Sequence, residues 1–164
     1  MRILWAPWRM VYIREFSKAS KKGCIFCNAV KGKDEEHYVV YRSKYSIAML
    51  NLYPYNTAHV MVAPKRHVSR PNLLSDEELL DLYKVVNLVI EALDREYKPH
   101  GYNVGMNIGK IAGAGVEAHL HVHIVPRWSG DTNFMPVIGN VKVIPEDLGE
   151  TFRRVREAIS SLLK

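Results

Sequence analysis

Residues 118–128 read AHLHVHIVPRW, with histidines at 119, 121 and 123 and with Leu120, Val122 and Ile124 between them. In an extended chain successive side chains leave on opposite faces. One face of this segment therefore carries three imidazoles, and the other carries three aliphatic side chains that anchor in a core. That period of two predicts a strand over 119–126, and the rest of the chain has to supply a sheet around it and a cover for its apolar face.

The remaining periodicities do so. HYVVYR (37–42) and YSIAMLN (45–51) are apolar, β-branched and aromatic runs parted by a short polar turn, which predicts a hairpin. AHVMVAPK (58–65) predicts a third strand ended by Pro64, and YNVGMNIG (102–109) a fourth. Ser75 with Glu78 three residues on forms a capping box at the start of a helix. Leu79, Leu82, Tyr83, Val86, Val89, Ile90, Leu93 and Tyr97 follow at three- and four-residue spacing as one buried stripe, ended by Lys98-Pro99-His100-Gly101. Pro145 opens a last helix carrying Leu148, Phe152, Val155, Ile159 and Leu162. Strands with one long helix inserted and another at the end predict an α+β fold on an antiparallel sheet. At 164 residues, with no internal repeat or linker, the chain reads as a single domain. Residues 1–36 form an N-terminal segment with a CxxC pair, and residues 37–164 the core.

The formal charge of +6 favours an anionic partner such as a nucleotide or phosphate. The basic residues are spread along the chain, which disfavours bulk nucleic-acid binding. No apolar run approaches the roughly 20 residues that span a bilayer. The opening MRILWAPWRMVYIREF is broken by Pro7, Arg9 and Arg14, so it does not read as a signal peptide, and the expected location is the cytoplasm. Cytosolic thiols stay reduced, so Cys24 and Cys27 in GCIFC read as half a metal site or as a redox couple.

One histidine on a strand face is an ordinary polar residue. Three in register beside a glycine-rich loop point to chemistry, of two kinds. Imidazoles at i and i+2 can jointly hold a metal with an open position for water. Alternatively, a neutral imidazole is a nucleophile towards phosphorus, with its neighbours fixing its tautomer. The loop KIAGAGVEA favours the second: Gly113, Ala114 and Gly115 permit close backbone approach, so their N–H groups can cradle a phosphate.

HLHVHIV matches the alternating signature of the histidine triad (HIT) superfamily of nucleotidyl hydrolases and transferases. The resemblance continues through GCIFC, MLNLYPYNTAHVMVAPKRHV, AGAG, VPRWSGDTNF and KVIP. The opening LWAPWRMVYI and the tryptophan after VPR resemble the diadenosine tetraphosphate phosphorylase branch, itself similar to Fhit-type dinucleoside polyphosphate hydrolases. The resemblance implies a sheet of about five antiparallel strands with two main helices, and a homodimer. It implies that His121 attacks the α-phosphorus to form a nucleotidyl-imidazole and that His123 orients the ring. It implies zinc on Cys24, Cys27, His67 and His119, a closed structural site. Substrate contacts carried over by position are Asn51 for ribose hydroxyls, Leu52 and Tyr53 for a purine face, His59 beside the triad, Asn107 for phosphate, and Trp128 over a base or at an interface. Trp5 and Trp8 read as packing residues.

The resemblance thus implies cleavage of dinucleoside polyphosphates such as diadenosine tetraphosphate, with phosphate as acceptor. Lys110 and Arg127, flanking the loop and the strand, favour a second anion near His121. Asymmetric hydrolysis and adenosine phosphoramidate hydrolysis remain alternatives, as does a nucleotide-binding regulator with incidental catalysis. The chain departs from many relatives in having no hydroxyl or amide side chain between Gly113 and His119, which leaves leaving-group preference open; Glu117 is a candidate local proton donor there.

Overall fold

The computed structural model describes residues 23–139, 141 and 143–164, so LWAPWRMVYI with Trp5 and Trp8 lies outside the described residues. Five strands, β1 (Val39–Arg42), β2 (Ser46–Leu50), β3 (Val60–Pro64), β4 (Gly101–Met106) and β5 (Val122–Arg127), form one sheet in the order β1-β2-β3-β5-β4. Every pairing is antiparallel. The expected hairpin is β1–β2, and the α+β antiparallel architecture is as the sequence implies.

Both faces of the central strands are covered, and all five residues of β2 and of β3 are buried. On one face Ala48, Leu50, Val60, Val62, Val122 and Ile124 meet the long helix α3 (Asp76–Tyr97) and the terminal helix α5 (Leu148–Leu162). On the other, Ile47, Met49, Met61 and Ala63 meet Phe26 and Ala29 of a short helix α1 (Ile25–Lys31). The face of the triad histidines is thus the face that α1 covers.

The capping box of α3 is present: Ser75 Oγ accepts the Glu78 N–H and Glu78 Oε2 accepts the Ser75 N–H. Arg66 holds the Glu78 carboxylate from the other side, at 2.8 and 2.6 Å. The buried stripe runs through Leu82, Val85, Val86, Val89, Ala92 and Leu93, while Tyr83, expected in it, is exposed. One residue turns the helix by 100°, which carries Tyr83 to the edge of the stripe centred on Leu82 and Val86. Helix α5 starts three residues later than Pro145 suggested. Asp147 is its cap and accepts the N–H groups of Gly149 and Glu150, so the carboxylate sets the boundary and the proline only precedes it.

The helix α1, the four-residue α2 (Asp34–His37) and α4 (Met135–Ile138) were not expected, because none is long enough to display a helical period. Arg42 closes the C-terminal end of α1, donating to the carbonyls of Ala29, Val30 and Gly32 and to Asp34 Oδ1. Among the described residues no helix is long and apolar enough to cross a membrane.

Candidate active site and metal centre

The strand bearing the triad begins at Val122 rather than 119. Upstream of it, the Leu120 N–H goes to the Val68 carbonyl and the His119 N–H to Val116, outside the sheet ladder. The alternation persists through this stretch. Leu120, Val122 and Ile124 sit in the helix-covered core; His119 and His121 are buried on the α1 side, and His123 is half-buried opposite Met61 and Gly105.

Hydrogen bonds fix which nitrogen of each ring carries a proton. His121 Nδ1 lies 2.8 Å from the His119 carbonyl. A carbonyl only accepts, so Nδ1 holds the proton and the lone pair of Nε2 is left for chemistry. Burial pushes the His121 imidazolium below the ordinary histidine range against the opposing pull of that hydrogen bond, which favours the neutral, nucleophilic form. Phe26 packs on the ring at 4.8 Å between centroids, and His123 meets it edge-on at 4.8 Å.

His59 stands one residue before β3 and is buried; Ala58, at φ 57°, turns the chain there and shortens the strand expected from 58. His59 Nδ1 accepts the Tyr55 N–H at 3.1 Å and faces Asn51 Nδ2 at 3.4 Å. Its proton is therefore on Nε2 and is donated to His123 Nδ1 at 3.0 Å, leaving the proton of neutral His123 on Nε2. Burial, with the charges of His123 and His121 adding to it, drives the His59 value down to about 3, so this ring is a fixed neutral donor. The Tyr55 ring covers the pair, 4.7 Å from His59 and 5.8 Å from His123.

The first triad histidine faces elsewhere. His119 Nε2–H donates to the Pro64 carbonyl at 2.8 Å, turning the Nδ1 lone pair towards two thiols and a second imidazole. From His119 Nδ1 the distances are 3.2 Å to Cys24 Sγ, 3.6 Å to Cys27 Sγ and 3.2 Å to His67 Nδ1, and Cys27 Sγ to His67 Nδ1 is 3.2 Å. All four ligand atoms lie within 4.8 Å of one another. Tetrahedral zinc at its usual bond lengths separates such ligands by about 3.3–3.8 Å, so the donor set and the spacing both fit it. Burial raises the Cys27 thiol above its ordinary value and the adjacent Cys24 adds to this, a penalty that a divalent cation among the thiolates reverses.

The other expected site residues fall into two groups. Leu52 and Tyr53 are exposed on the rim beside Asn51. Asn51 is buried, and its Oδ1 accepts the Tyr53 N–H at 2.9 Å, so its carboxamide builds the turn as well as facing His59. Asn107 is half-buried just past β4, opposite His121 if the β4–β5 register is continued.

The remainder have local partners or exposure of their own. In the glycine-rich loop the Gly113 N–H bonds to Lys110 O and the Ala114 N–H to Gly109 O, so two of the three expected phosphate donors serve the loop's own turn. Gly115, Lys110 and Glu117 are exposed. Trp128 donates its indole N–H to the Tyr97 carbonyl at the end of α3, which directs its polar edge to that helix. Arg127 is not a spare cation: it grips both oxygens of Asp131, at 2.6 and 2.9 Å, and Asn103 Oδ1 at 2.7 Å. Six residues of strand also put it about 20 Å from His121.

Sequence reasoning passed over Phe26, Tyr55 and the Asn56–Asp131 pair. Asn56 Nδ2 donates to Asp131 Oδ2 and to the Pro126 carbonyl, which ties the turn carrying Tyr53 and Tyr55 to the end of β5. Phe26 had one signal, an aromatic enclosed by two candidate ligands. Tyr55 had none, because a proline turn has no period to say which aromatic faces inward.

Comparison with known proteins gives a consistent picture. The HIT domain family matches residues 33–130. An AP-4-A phosphorylase of Mycobacterium tuberculosis is 43% identical over 156 residues, covering 92% of this chain and 80% of that protein. An adenosine 5'-monophosphoramidase of Schizosaccharomyces pombe is 33% identical over 141 residues, covering 86% and 98%. Among solved structures, a hypothetical histidine triad nucleotide-binding protein from Sulfolobus tokodaii superposes with a TM-score of 0.69 at 32% identity, over 85% of this chain and 93% of that one.

Proposed function

This chain belongs to the histidine triad family, and from that premise we propose that it is a cytoplasmic, single-domain enzyme that cleaves dinucleoside polyphosphates through a nucleotidyl-His121 intermediate and passes the nucleotidyl group to inorganic phosphate. The observation that carries the reading is the Nε2 lone pair of His121, left available by the Nδ1 bond to the His119 carbonyl on a neutral, buried ring. The similarity to an AP-4-A phosphorylase supports the substrate class.

In the first step Nε2 of His121 bonds to the α-phosphorus as the bond from that phosphorus to the leaving polyphosphate oxygen breaks. The ring becomes an imidazolium, and its Nδ1–H bond to the His119 carbonyl turns into a charge-assisted one, stronger than before. His123, held by His59 with its proton on Nε2, is the donor for a phosphoryl oxygen. In the second step a phosphate oxygen attacks, the N–P bond breaks and His121 returns to its neutral form. Asn51, Leu52, Tyr53, Asn107, Trp128 and the Gly113–Gly115 loop, there through the exposed Gly115 rather than the N–H groups of Gly113 and Ala114 that its turn uses, are the proposed substrate contacts; the exposure of Leu52 and Tyr53 supports a base resting there. Zinc, held by Cys24, Cys27, His67 and His119, would supply a structural cross-link between α1 and the triad segment.

Asymmetric hydrolysis is the second reading, favoured by the commitment of Arg127 to Asp131, which removes an expected phosphate ligand. Products separate the two. From diadenosine tetraphosphate, phosphate attack gives ADP plus ATP and water gives AMP plus ATP. Chromatography with and without millimolar phosphate is expected to show ADP rising at the expense of AMP. AMP predominating at every phosphate concentration makes the chain a hydrolase while leaving the role of His121 intact.

A homodimer is proposed through β4. Six residues long, GYNVGM has no charged residue and no proline, exposes Val104 and, among the described residues, pairs with β5 on one edge alone. The opposite edge, β1, is short and its register is bulged, a common defence against pairing. Light scattering is expected to give twice the chain mass for the wild type and a shift towards monomer for Val104→Lys. A wild-type monomer at all concentrations refutes the dimer.

A further inference from the structure

Phe26 lies between Cys24 and Cys27 in sequence and is wholly buried. Its ring centroid is 5.0 Å from that of His119 and 4.8 Å from that of His121. One side chain therefore touches a candidate metal ligand and the candidate nucleophile together. Among the described residues the His121 ring has one hydrogen bond, from Nδ1 to the His119 carbonyl. A single bond leaves a planar ring free to rock about that contact. Phe26, at 4.8 Å and 32°, and His123, at 4.8 Å and 76°, both pack against the ring and narrow that motion.

The same helix explains how the metal reaches this contact. Cys24 caps the N-terminal end of α1 and Cys27 lies within its first turn, whereas the C-terminal end is clamped independently by the Arg42 guanidinium. Behind Phe26 stand Ile47, Met49, Met61 and Ala63 of the sheet, a packed apolar bed in which a ring cannot shift without displacing its neighbours. A metal at the thiols replaces the single thiol–imidazole contacts of Cys24 with His119 and of Cys27 with His67, each at 3.2 Å, by four shared bonds, and so fixes the turn that carries Phe26 more firmly.

We propose that Phe26 is the positioning residue for His121, and that through it the occupancy of the Cys24–Cys27–His67–His119 site sets the orientation of the nucleophile. This rests on the zinc and nucleophile roles proposed above. The site then differs from a structural staple remote from the chemistry: losing zinc lowers turnover before it unfolds the chain. Small misplacements of a nucleophile cost about tenfold to a hundredfold in rate, because the near-attack geometry is populated less often.

The test needs no variant at its centre. Wild-type protein with isotope-labelled histidine is compared by NMR with zinc bound and after chelation, below the unfolding temperature of the metal-free chain. The His121 ring protons, identified by their loss in a His121→Gln variant, lie under the Phe26 ring current and are expected to move on chelation. Phe26→Leu, which keeps an apolar side chain but removes the ring, is expected to retain zinc. Its KM should stay within about twofold of wild type while kcat falls about tenfold or more. Chelation should then change kcat less in Phe26→Leu than in wild type, since both act on one contact. His121 resonances that stay in place on chelation, or zinc-loaded Phe26→Leu with wild-type kcat, overturn the proposal. Wild type that binds no zinc overturns the metal reading and the coupling with it. A His121→Gly variant that still turns over overturns the nucleophile reading instead, a pattern distinct from zinc bound and His121 indifferent to Phe26.

Discussion

Replacing His121 with glycine is expected to lower kcat on diadenosine tetraphosphate by at least about a thousandfold, while nucleotide binding changes severalfold at most. The asymmetry follows from where the ring acts. Nε2 makes its bond to phosphorus only as the reaction proceeds, so its removal costs transition-state stabilisation that the ground-state complex never had. The lost imidazole also leaves His59 and His123 in place, since their mutual bond and the Tyr55 N–H bond do not pass through His121. Stopped reactions of the wild type with substrate labelled at the α-phosphorus are expected to yield an acid-labile phosphoramidate on the protein, and the glycine variant none. A variant with a large fraction of wild-type kcat would falsify the assignment. Replacing His59 by asparagine is the informative neighbour: kcat should fall less than for His121, because His59 acts on substrate only through the tautomer of His123.

How much of this was legible in the sequence depends on whether a residue's role is periodic. The strand at 119–126 announced itself because a period of two has one structural meaning, and the faces of Leu120 and His121 came out as read even where the ladder stops short. The long helix was legible for the same reason, with Tyr83 misplaced only because a stripe has edges. Half of the ligand set was legible as chemistry, the thiols of the CxxC pair; His67 and His119 followed only from the family resemblance, and the fold brings all four ligand atoms within 4.8 Å. What stayed hidden depends on contacts between segments distant in sequence. Arg127 looked like a free cation in HIVPRW, and nothing local says that Asp131 turns back to hold it. The Gly113 and Ala114 N–H groups looked available, but a short 3-10 turn at Lys110–Ala112 takes them first. Phe26, passed over in the sequence, is a core residue, and that its core neighbours include two triad histidines is a fact of the fold alone.

The protein prepared without chelators is expected to carry about one zinc per chain, and Cys24→Ser to lose most of it together with thermal stability. The donor geometry argues for a closed site. Two thiols and two Nδ1 atoms lie within 4.8 Å of one another, four of their separations being 3.2–3.6 Å, and His119 is already oriented by its Nε2–H bond to Pro64, so little rearrangement is needed to bind. A ligand held at about a thousand times its dissociation constant stabilises the folded state by about 4 kcal/mol. In a chain of this size each kcal/mol moves Tm by about 2–4 °C, so the loss should appear as roughly 10 °C. The fall should nevertheless stop short of unfolding at room temperature. The helix-covered core of Leu82, Val89, Leu93, Ile124 and Ile159 lies on the opposite face of the sheet, and Arg42 keeps its grip on the far end of α1. Elemental analysis and thermal denaturation of both proteins, with and without added chelator, measure the two effects together. Serine in place of Cys24 with zinc content and Tm unchanged removes the metal from the account, and His119 is then available for a catalytic role.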